Sequence, residues 1–161
     1  EDHLLRICSN DRGITVWLKG NRVSRNQIMA IKEESVTDQK NSLTVCLDNI
    51  LRHAGITRNT EYDLAQGKTA IQILEENMTG VQVLDLSGCS LDAVLYYVNQ
   101  DIPVLAILED GEAVLVTGFN EFNVVIMEPS TGKLYKKGMN DATTWFAENG
   151  NHFISYMKID N

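Results

Sequence analysis

The chain has 161 residues, with 22 acidic and 14 basic side chains, so its net charge is −8 at neutral pH. This length suits a single globular domain with a core of its own. An acidic surface repels nucleic acid and anionic lipid, which argues against both as partners. No apolar run approaches the roughly 20 residues that cross a bilayer, so we expect no membrane insertion of this segment.

The cysteine pattern argues against a metal centre. Three cysteines are present, Cys8, Cys46 and Cys89, and no two of them form a Cys-x-x-Cys pair. A zinc site is therefore not expected, and nothing in the sequence indicates another cofactor. An odd, sparse count is not a disulfide framework, although a single bridge is compatible with it.

The first part of the chain reads as an extension. The chain starts with Glu1 rather than Met, which we interpret as a fragment of a longer protein. Alternation over residues 13–18 predicts a short strand. Ser24 is a typical N-cap for a helix of about ten residues. We expect an N-terminal extension at residues 1–35 that packs on a domain at residues 36–161, as one compact unit.

A longer helix follows the extension. Asn41 and Ser42 are both suitable N-caps, and Gly55 is a natural stop. Between them, apolar residues repeat at helical spacing: Val45, Leu47, Ile50 and Leu51. Shorter helices are predicted at residues 61–66 and 69–77, then a strand at residues 81–86, and a helix from Ser90 to Asn99.

The pattern changes after Pro103. Three apolar, β-branched runs, at residues 104–108, 113–118 and 123–127, are separated by short turns and predict antiparallel strands. A helix near residues 142–148 and a strand near residues 153–159 end the chain. Helices come first and the sheet second, which indicates an α+β fold.

Four segments stand in a familiar order. The first is the helix at 42–55, with Cys46-Leu47 inside it and Gly55 at its end. The others are the helix from Ser90 leading to Pro103 and a strand, the run Gly111-Glu112 followed by an apolar strand and Thr-Gly, and Glu128-Pro129-x-x-Gly. Together they resemble the papain-fold cysteine peptidases that trim double-glycine leader peptides in bacteriocin exporters. The resemblance implies N-terminal helices packed on a C-terminal antiparallel sheet.

The resemblance also implies where the catalytic groups of such a peptidase would lie. Counting back from Cys46 and Gly55 puts the nucleophile position at Ser42, where the family has cysteine, and Leu43 stands where the family has glycine. Glu112 occupies the histidine position, and Glu128 the position of the residue that orients the histidine. A serine hydroxyl needs a strong base, and a carboxylate is a much weaker base than imidazole. Gln39 is too close to Ser42 to match the glutamine of a papain-type oxyanion hole.

Other readings of these residues stay open. Cys46 is interpreted as a buried helix-face thiol, with a displaced nucleophile as the alternative. His53 reads as a surface or partly buried polar residue, and His152 lies at the terminal strand. Ser42 is most simply an N-cap, and the sharper alternative is a Ser42–Glu112–Glu128 triad.

We therefore assign no catalytic residue. The resemblance implies a catalytically degenerate papain-fold domain of a larger bacterial protein, with a lean towards the cell surface or secretion. Such a domain would bind an extended peptide or protein segment in its cleft, or act as a scaffold. One alternative is an active peptidase or acyl-transfer enzyme that uses Ser42 or Cys46. Another is a structural domain of a cell-surface protein. The sequence does not indicate an oligomeric state.

Overall fold

The computed structural model describes residues 27–28 and 41–159. The helices are α1 (Ser42–His53), α2 (Glu61–Ala65), α3 (Ala70–Asn77), α4 (Leu91–Val98) and α5 (Met139–Glu148). The strands are β1 (Gln27–Ile28), β2 (Val81–Asp85), β3 (Val104–Ile107), β4 (Ala113–Phe119), β5 (Asn123–Glu128), β6 (Lys133–Gly138) and β7 (His152–Lys158).

The strands join in one antiparallel sheet with the order β2-β7-β3-β4-β5-β6, and β1 pairs with the end of β4. Strands β4 and β5 form the predicted hairpin, in which Leu115 lies opposite Met127. The side chain of Asn120 shapes its turn by accepting hydrogen bonds from the backbone N–H groups of Phe122 and Asn123. The predicted antiparallel pairing of these two runs is confirmed.

Helix α1 begins and ends where local signals indicate. Asn41 is the N-cap, because its side chain accepts a 2.7 Å hydrogen bond from the backbone N–H of Thr44. At the other end, Gly55 has φ +88°, and the N–H groups of Gly55 and Ile56 return to the carbonyls of Arg52 and Leu51. This is a Schellman motif, which needs a left-handed residue and therefore favours glycine. The predicted extent of the helix is confirmed, but its cap is Asn41 and not Ser42.

The core lies between the helices and the sheet. Helix α1 packs on β3 and β4, while α4 packs on β3, β4 and β7. All seven residues of β4 are buried, which is consistent with its central place in the sheet. On α1 the fully buried apolar side chains are Cys46, Leu47, Ile50 and Leu51. Burial of this stripe fixes the rotation of α1 and thereby directs Ser42 towards the start of β4.

Two expectations about elements are wrong. The helix predicted from Ser24 is contradicted at Gln27–Ile28, which form a strand opposite Phe119 and Gly118. Pairing with a distant strand overrides the local helical spacing there. Strand β6 was not predicted, because its exposed edge position requires no apolar alternation. The strand expected at residues 13–18, and the remainder of the 1–35 extension, lie outside the described residues.

Candidate functional site

Ser42 is the first residue of α1, and its hydroxyl group joins the helix to the sheet. The Oγ atom donates a hydrogen bond to Oε2 of Glu112 over 2.5 Å. The same oxygen accepts a 2.8 Å hydrogen bond from the backbone N–H of Ala113, the first residue of β4. The structure therefore brings together the two residues that the sequence assigned to the nucleophile and histidine positions of a cysteine peptidase.

A tight turn before β4 holds Glu112 in place. The backbone N–H of Leu108 donates to the carbonyl of Glu112, and Gly111 has φ +87° inside the turn. The side chain of Asp110 accepts a 2.9 Å hydrogen bond from the N–H of Glu112. These contacts fix the backbone on both sides of Glu112, so its exposed carboxylate is directed at Ser42.

Cys46 lies one turn farther along α1 and is completely buried. Burial raises the pKa of its thiol well above the ordinary value, and the nearby negative charge of Glu128 raises it further. A thiol nucleophile needs a lowered pKa and access to solvent. The interpretation of Cys46 as a buried helix-face thiol is therefore confirmed. Of the other cysteines, Cys89 is disulfide-bonded, so the single bridge that the sequence allowed does occur.

Glu128 ends β5 and faces the same side of the sheet as Glu112. Residues opposite each other in an antiparallel pair share a face, and Val116 lies opposite Ile126, two residues before Glu128. The hydrogen bonds of Glu128 go elsewhere, however: its Oε1 atom accepts from the N–H and hydroxyl of Ser130, at 3.1 and 3.0 Å. The three expected positions thus form one hydrogen-bonded pair and a separate carboxylate, and not a connected triad.

Neither described histidine contacts this pair. His53 is at the far end of α1, where its Nε2 atom lies 3.0 Å from the backbone oxygen of Asp101 and 3.6 Å from its carboxylate. This agrees with a partly buried polar residue, since its side chain is 16% exposed. His152 is exposed on β7, opposite Ile107. Gln39 lies outside the described residues.

The electrostatics of the site come from one helix end and two carboxylates. The N-terminus of α1 carries a partial positive charge, which favours a negative group beside Ser42. Glu112 is such a group, and its carboxylate lies beside the helix end while it accepts a hydrogen bond from the Ser42 hydroxyl. Within residues 41–159, no group of three or more His, Cys, Asp or Glu side chains is arranged to hold a metal ion. None of the helices in the described part of the chain is long and apolar enough to span a bilayer.

No family model matches the sequence, and no curated protein matches it. Among solved structures, a crystal structure from Bacillus anthracis, provisionally described as a C39-like peptidase, superposes with a TM-score of 0.68. The identity is 14%, and the match covers 86% of this chain and 100% of the other. The chain has an α+β papain-like fold. The fold that the four motifs indicated is thus confirmed.

Sequence reasoning missed two parts of the site. The backbone N–H of Ala113 has no side-chain signature, yet it holds the serine oxygen from the strand side. Asn41 caps α1 and so leaves the Ser42 hydroxyl available for the contact with β4. Asparagine is as good an N-cap as serine, so the Asn41-Ser42 pair was ambiguous from the sequence.

Proposed function

We propose that this domain binds an extended peptide between α1 and the sheet without cleaving it. The observation that supports this proposal is the double hydrogen bond of Ser42, which donates to Glu112 and accepts from Ala113. The positions at which a papain-fold peptidase carries its nucleophile and base meet in this chain, but they hold a hydroxyl and a carboxylate. The two side chains therefore lie in contact, as a nucleophile and its base would, but neither the cysteine nor the histidine of a cysteine peptidase is present.

The loss of catalysis follows from the side chains that are present. The Ser42 proton is directed at a carboxylate, which is a poor acceptor for a full proton transfer from an alcohol at neutral pH. Glu128 is bonded to Ser130 and does not support Glu112. Cys46 is buried, and its raised pKa keeps the thiol protonated. Ser42 therefore has only a weakly basic carboxylate beside it, and the buried thiol of Cys46 is not activated.

The binding proposal rests on the architecture around that pair. In a papain-like fold a peptide lies extended between the helical side and the sheet, where backbone groups can pair with it. Glu112 is exposed at this junction and Ser42 is partly exposed. A peptide that lies there crosses directly over the Glu112 carboxylate.

A charge-reversal experiment tests this site. A displayed library of extended peptides, including double-glycine leader sequences, is selected on the purified chain, and the selected peptides are titrated by fluorescence anisotropy. Glu112→Lys should weaken their binding by about tenfold or more, because it breaks the Ser42 contact and reverses the charge under the peptide. Glu75→Lys makes the same charge change at an exposed position of α3 and should leave binding unchanged.

Three outcomes would contradict the proposal. Equal loss of binding in both variants would mean that the peptides respond to net charge and not to this site. Cleavage of the selected peptides by the wild-type chain, lost in Ser42→Ala, would instead favour an active serine peptidase or acyl-transfer enzyme. Failure to select any peptide would favour a structural domain of a larger cell-surface protein.

A further inference from the structure

A cavity lies at the end of α1 opposite Ser42. It has a volume of about 600 Å³ and is bounded by the end of α1, the loop between α3 and β2, the turn after α4, and the end of β7. Its lining includes the polar residues His53, Asp101, Tyr156 and Lys158 and the apolar residues Ile56 and Met78. Eleven residues of α1 separate His53 from Ser42, which corresponds to about 16 Å of helix, so this cavity is distinct from the Ser42–Glu112 pair.

Tyr156 is the first sign that the cavity takes a ligand. Its side chain is only 3% exposed, yet no other described residue forms a hydrogen bond with its hydroxyl group. The hydroxyl oxygen itself keeps contact with the open space of the cavity, so a ligand that enters can form a hydrogen bond with it. Burial and the charge of Asp101 both raise the pKa of Tyr156, so the phenol stays protonated and its oxygen remains neutral at physiological pH. Asp101 and Tyr156 both line the cavity.

Asp101 is the second sign, because it occupies a position that suits glycine. The N–H of Asp101 bonds to the carbonyl of Val98, and the N–H of Ile102 bonds to that of Tyr97. These bonds form the C-terminal Schellman motif of α4, and Asp101 has φ +67°. A left-handed non-glycine residue costs about 1 kcal/mol, and a negative charge at a helix C-terminus is unfavourable as well.

The contact with His53 offsets only part of the cost of placing Asp101 in a left-handed conformation at the end of α4. Its Nε2 atom points at the backbone oxygen of Asp101 at 3.0 Å, and the carboxylate is farther away at 3.6 Å. The Asp101 side chain is 61% exposed, so its carboxylate remains accessible to a ligand in the cavity. The negative end of the α1 dipole lies at the same wall, and both groups favour a cation there.

We propose that this cavity binds the α-ammonium group of an apolar amino acid, held between Asp101 and the hydroxyl of Tyr156. The ammonium donates to the Asp101 carboxylate and to the Tyr156 oxygen, and the apolar side chain lies against Ile56 and Met78. The group comes either from a free amino acid or from the first residue of a peptide. Lys158 lies two residues beyond Tyr156 on the same face of β7, about 7 Å away along the strand, and pairs with the carboxylate of a free amino acid.

Amide-resolved NMR titration of the isotope-labelled chain tests this proposal with defined probes: leucine, leucinamide and N-acetyl-leucine. Leucine and leucinamide should shift resonances of the cavity residues, whereas N-acetyl-leucine, which lacks the ammonium, should not. Tighter binding of leucine than of leucinamide identifies a free amino acid as the ligand. Equal binding identifies a peptide amino terminus. If no probe shifts these resonances, or if N-acetyl-leucine binds as well as leucine, the proposal is wrong.

Variants separate the ligand contacts from folding. Asp101→Asn keeps a side chain that tolerates the left-handed conformation, and Tyr156→Phe keeps the packing, so both should fold normally. Each should weaken leucine binding by about tenfold or more, which corresponds to the loss of one hydrogen bond to a charged group. Asp141→Asn and Tyr62→Phe make the same changes at exposed positions and should have no effect. Unchanged binding in both cavity variants would overturn the proposal and leave the Ser42–Glu112 proposal untouched.

Discussion

At the scale of single residues, the decisive feature is the hydroxyl group of Ser42, which donates one hydrogen bond and accepts another. Ser42 donates a hydrogen bond to Glu112 and accepts one from the backbone N–H of Ala113. Its hydroxyl group therefore links the start of α1 to the start of β4. A serine nucleophile needs a base strong enough to take this proton, and a carboxylate is a much weaker base than imidazole. The same two positions should therefore support a reactive pair once suitable side chains are present.

A restoration experiment tests that expectation. Ser42→Cys combined with Glu112→His puts a thiol at the N-terminus of α1 beside an imidazole. The helix dipole and an imidazolium partner both stabilise a thiolate, so the introduced thiol should alkylate well below its ordinary pKa of about 8.5. Efficient peptide cleavage is not expected. Leu43 still stands where the family has glycine, and no glutamine is at the spacing that a papain-type oxyanion hole requires.

The measurement is the pH profile of the alkylation rate, compared with that of Ser42→Cys alone. The wild-type chain provides the background, because buried Cys46 with its raised pKa should react only after unfolding. If the profiles of the double and single variants coincide, the imidazole at 112 does not face the thiol at 42, and the equivalence with a peptidase site fails.

A second residue-scale prediction concerns Tyr97. Burial raises the pKa of its phenol from 10 to about 12, with a smaller effect from Tyr96, and its hydroxyl has no hydrogen-bond partner among the described residues. The folded state therefore keeps a proton that the unfolded chain loses from pH 10 upwards. The stability linked to this proton is fully present below pH 10 and is lost as the pH rises towards 12.

Tyr97→Phe should accordingly increase stability at neutral pH by about 1 kcal/mol, because it removes an unpaired buried hydroxyl. It should also make the loss of stability between pH 10 and 12 shallower. Urea unfolding across this pH range measures both effects. Tyr62→Phe is the matched control, since Tyr62 is 71% exposed and should change neither quantity. A clear destabilisation by Tyr97→Phe would show that the hydroxyl has a partner and would refute this account.

At the scale of elements, the cap of α1 determines whether Ser42 reaches the sheet. Asn41 accepts the N–H of Thr44 and thereby holds the first turn of the helix in place. Asn41→Ala should reduce the free energy of unfolding by about 1 kcal/mol, whereas Asn41→Asp, which also caps well, should change it little. Chemical denaturation provides the comparison. Equal stability of Asn41→Ala and the wild type would mean that the first turn is held by other contacts.

The elements that sequence reasoning predicted well are those whose ends are marked by local signals, such as a capping residue, a glycine or a short turn. Helix α1 has a polar cap and a terminal glycine, and β4 and β5 are apolar runs joined by a short turn. Strand β6 has no apolar alternation. Its lysines are typical of an exposed edge strand, and a lysine-rich segment of this kind is easily interpreted as a loop. Strand β1 was mistaken for helix, because only its pairing with Gly118 and Phe119 defines it. A single sequence contains no information on that partner.

At the scale of the whole molecule, the site exists because distant parts of the chain meet. Ser42 and Glu112 are 70 residues apart, and only the antiparallel sheet, with α1 packed across β3 and β4, brings them together. No local pattern predicts such a contact. The resemblance to leader peptidases predicted the contact between Ser42 and Glu112, because motifs in the same order imply the same topology. It could not predict that Glu128 would bind Ser130, since that contact depends on the turn after β5.

The most direct test of the central claim is a search for peptide cleavage by the purified chain. Double-glycine leader peptides and a mixture of generic peptides are incubated with the wild type, Ser42→Ala and Cys46→Ala, from acid to neutral pH, and the products are analysed by mass spectrometry. We expect the same intact peptides in all three samples at every pH. Turnover by the wild type that disappears in Ser42→Ala, above all at acid pH, would contradict the claim and identify a serine–glutamate enzyme. Turnover that disappears only in Cys46→Ala would contradict it equally and identify a thiol enzyme.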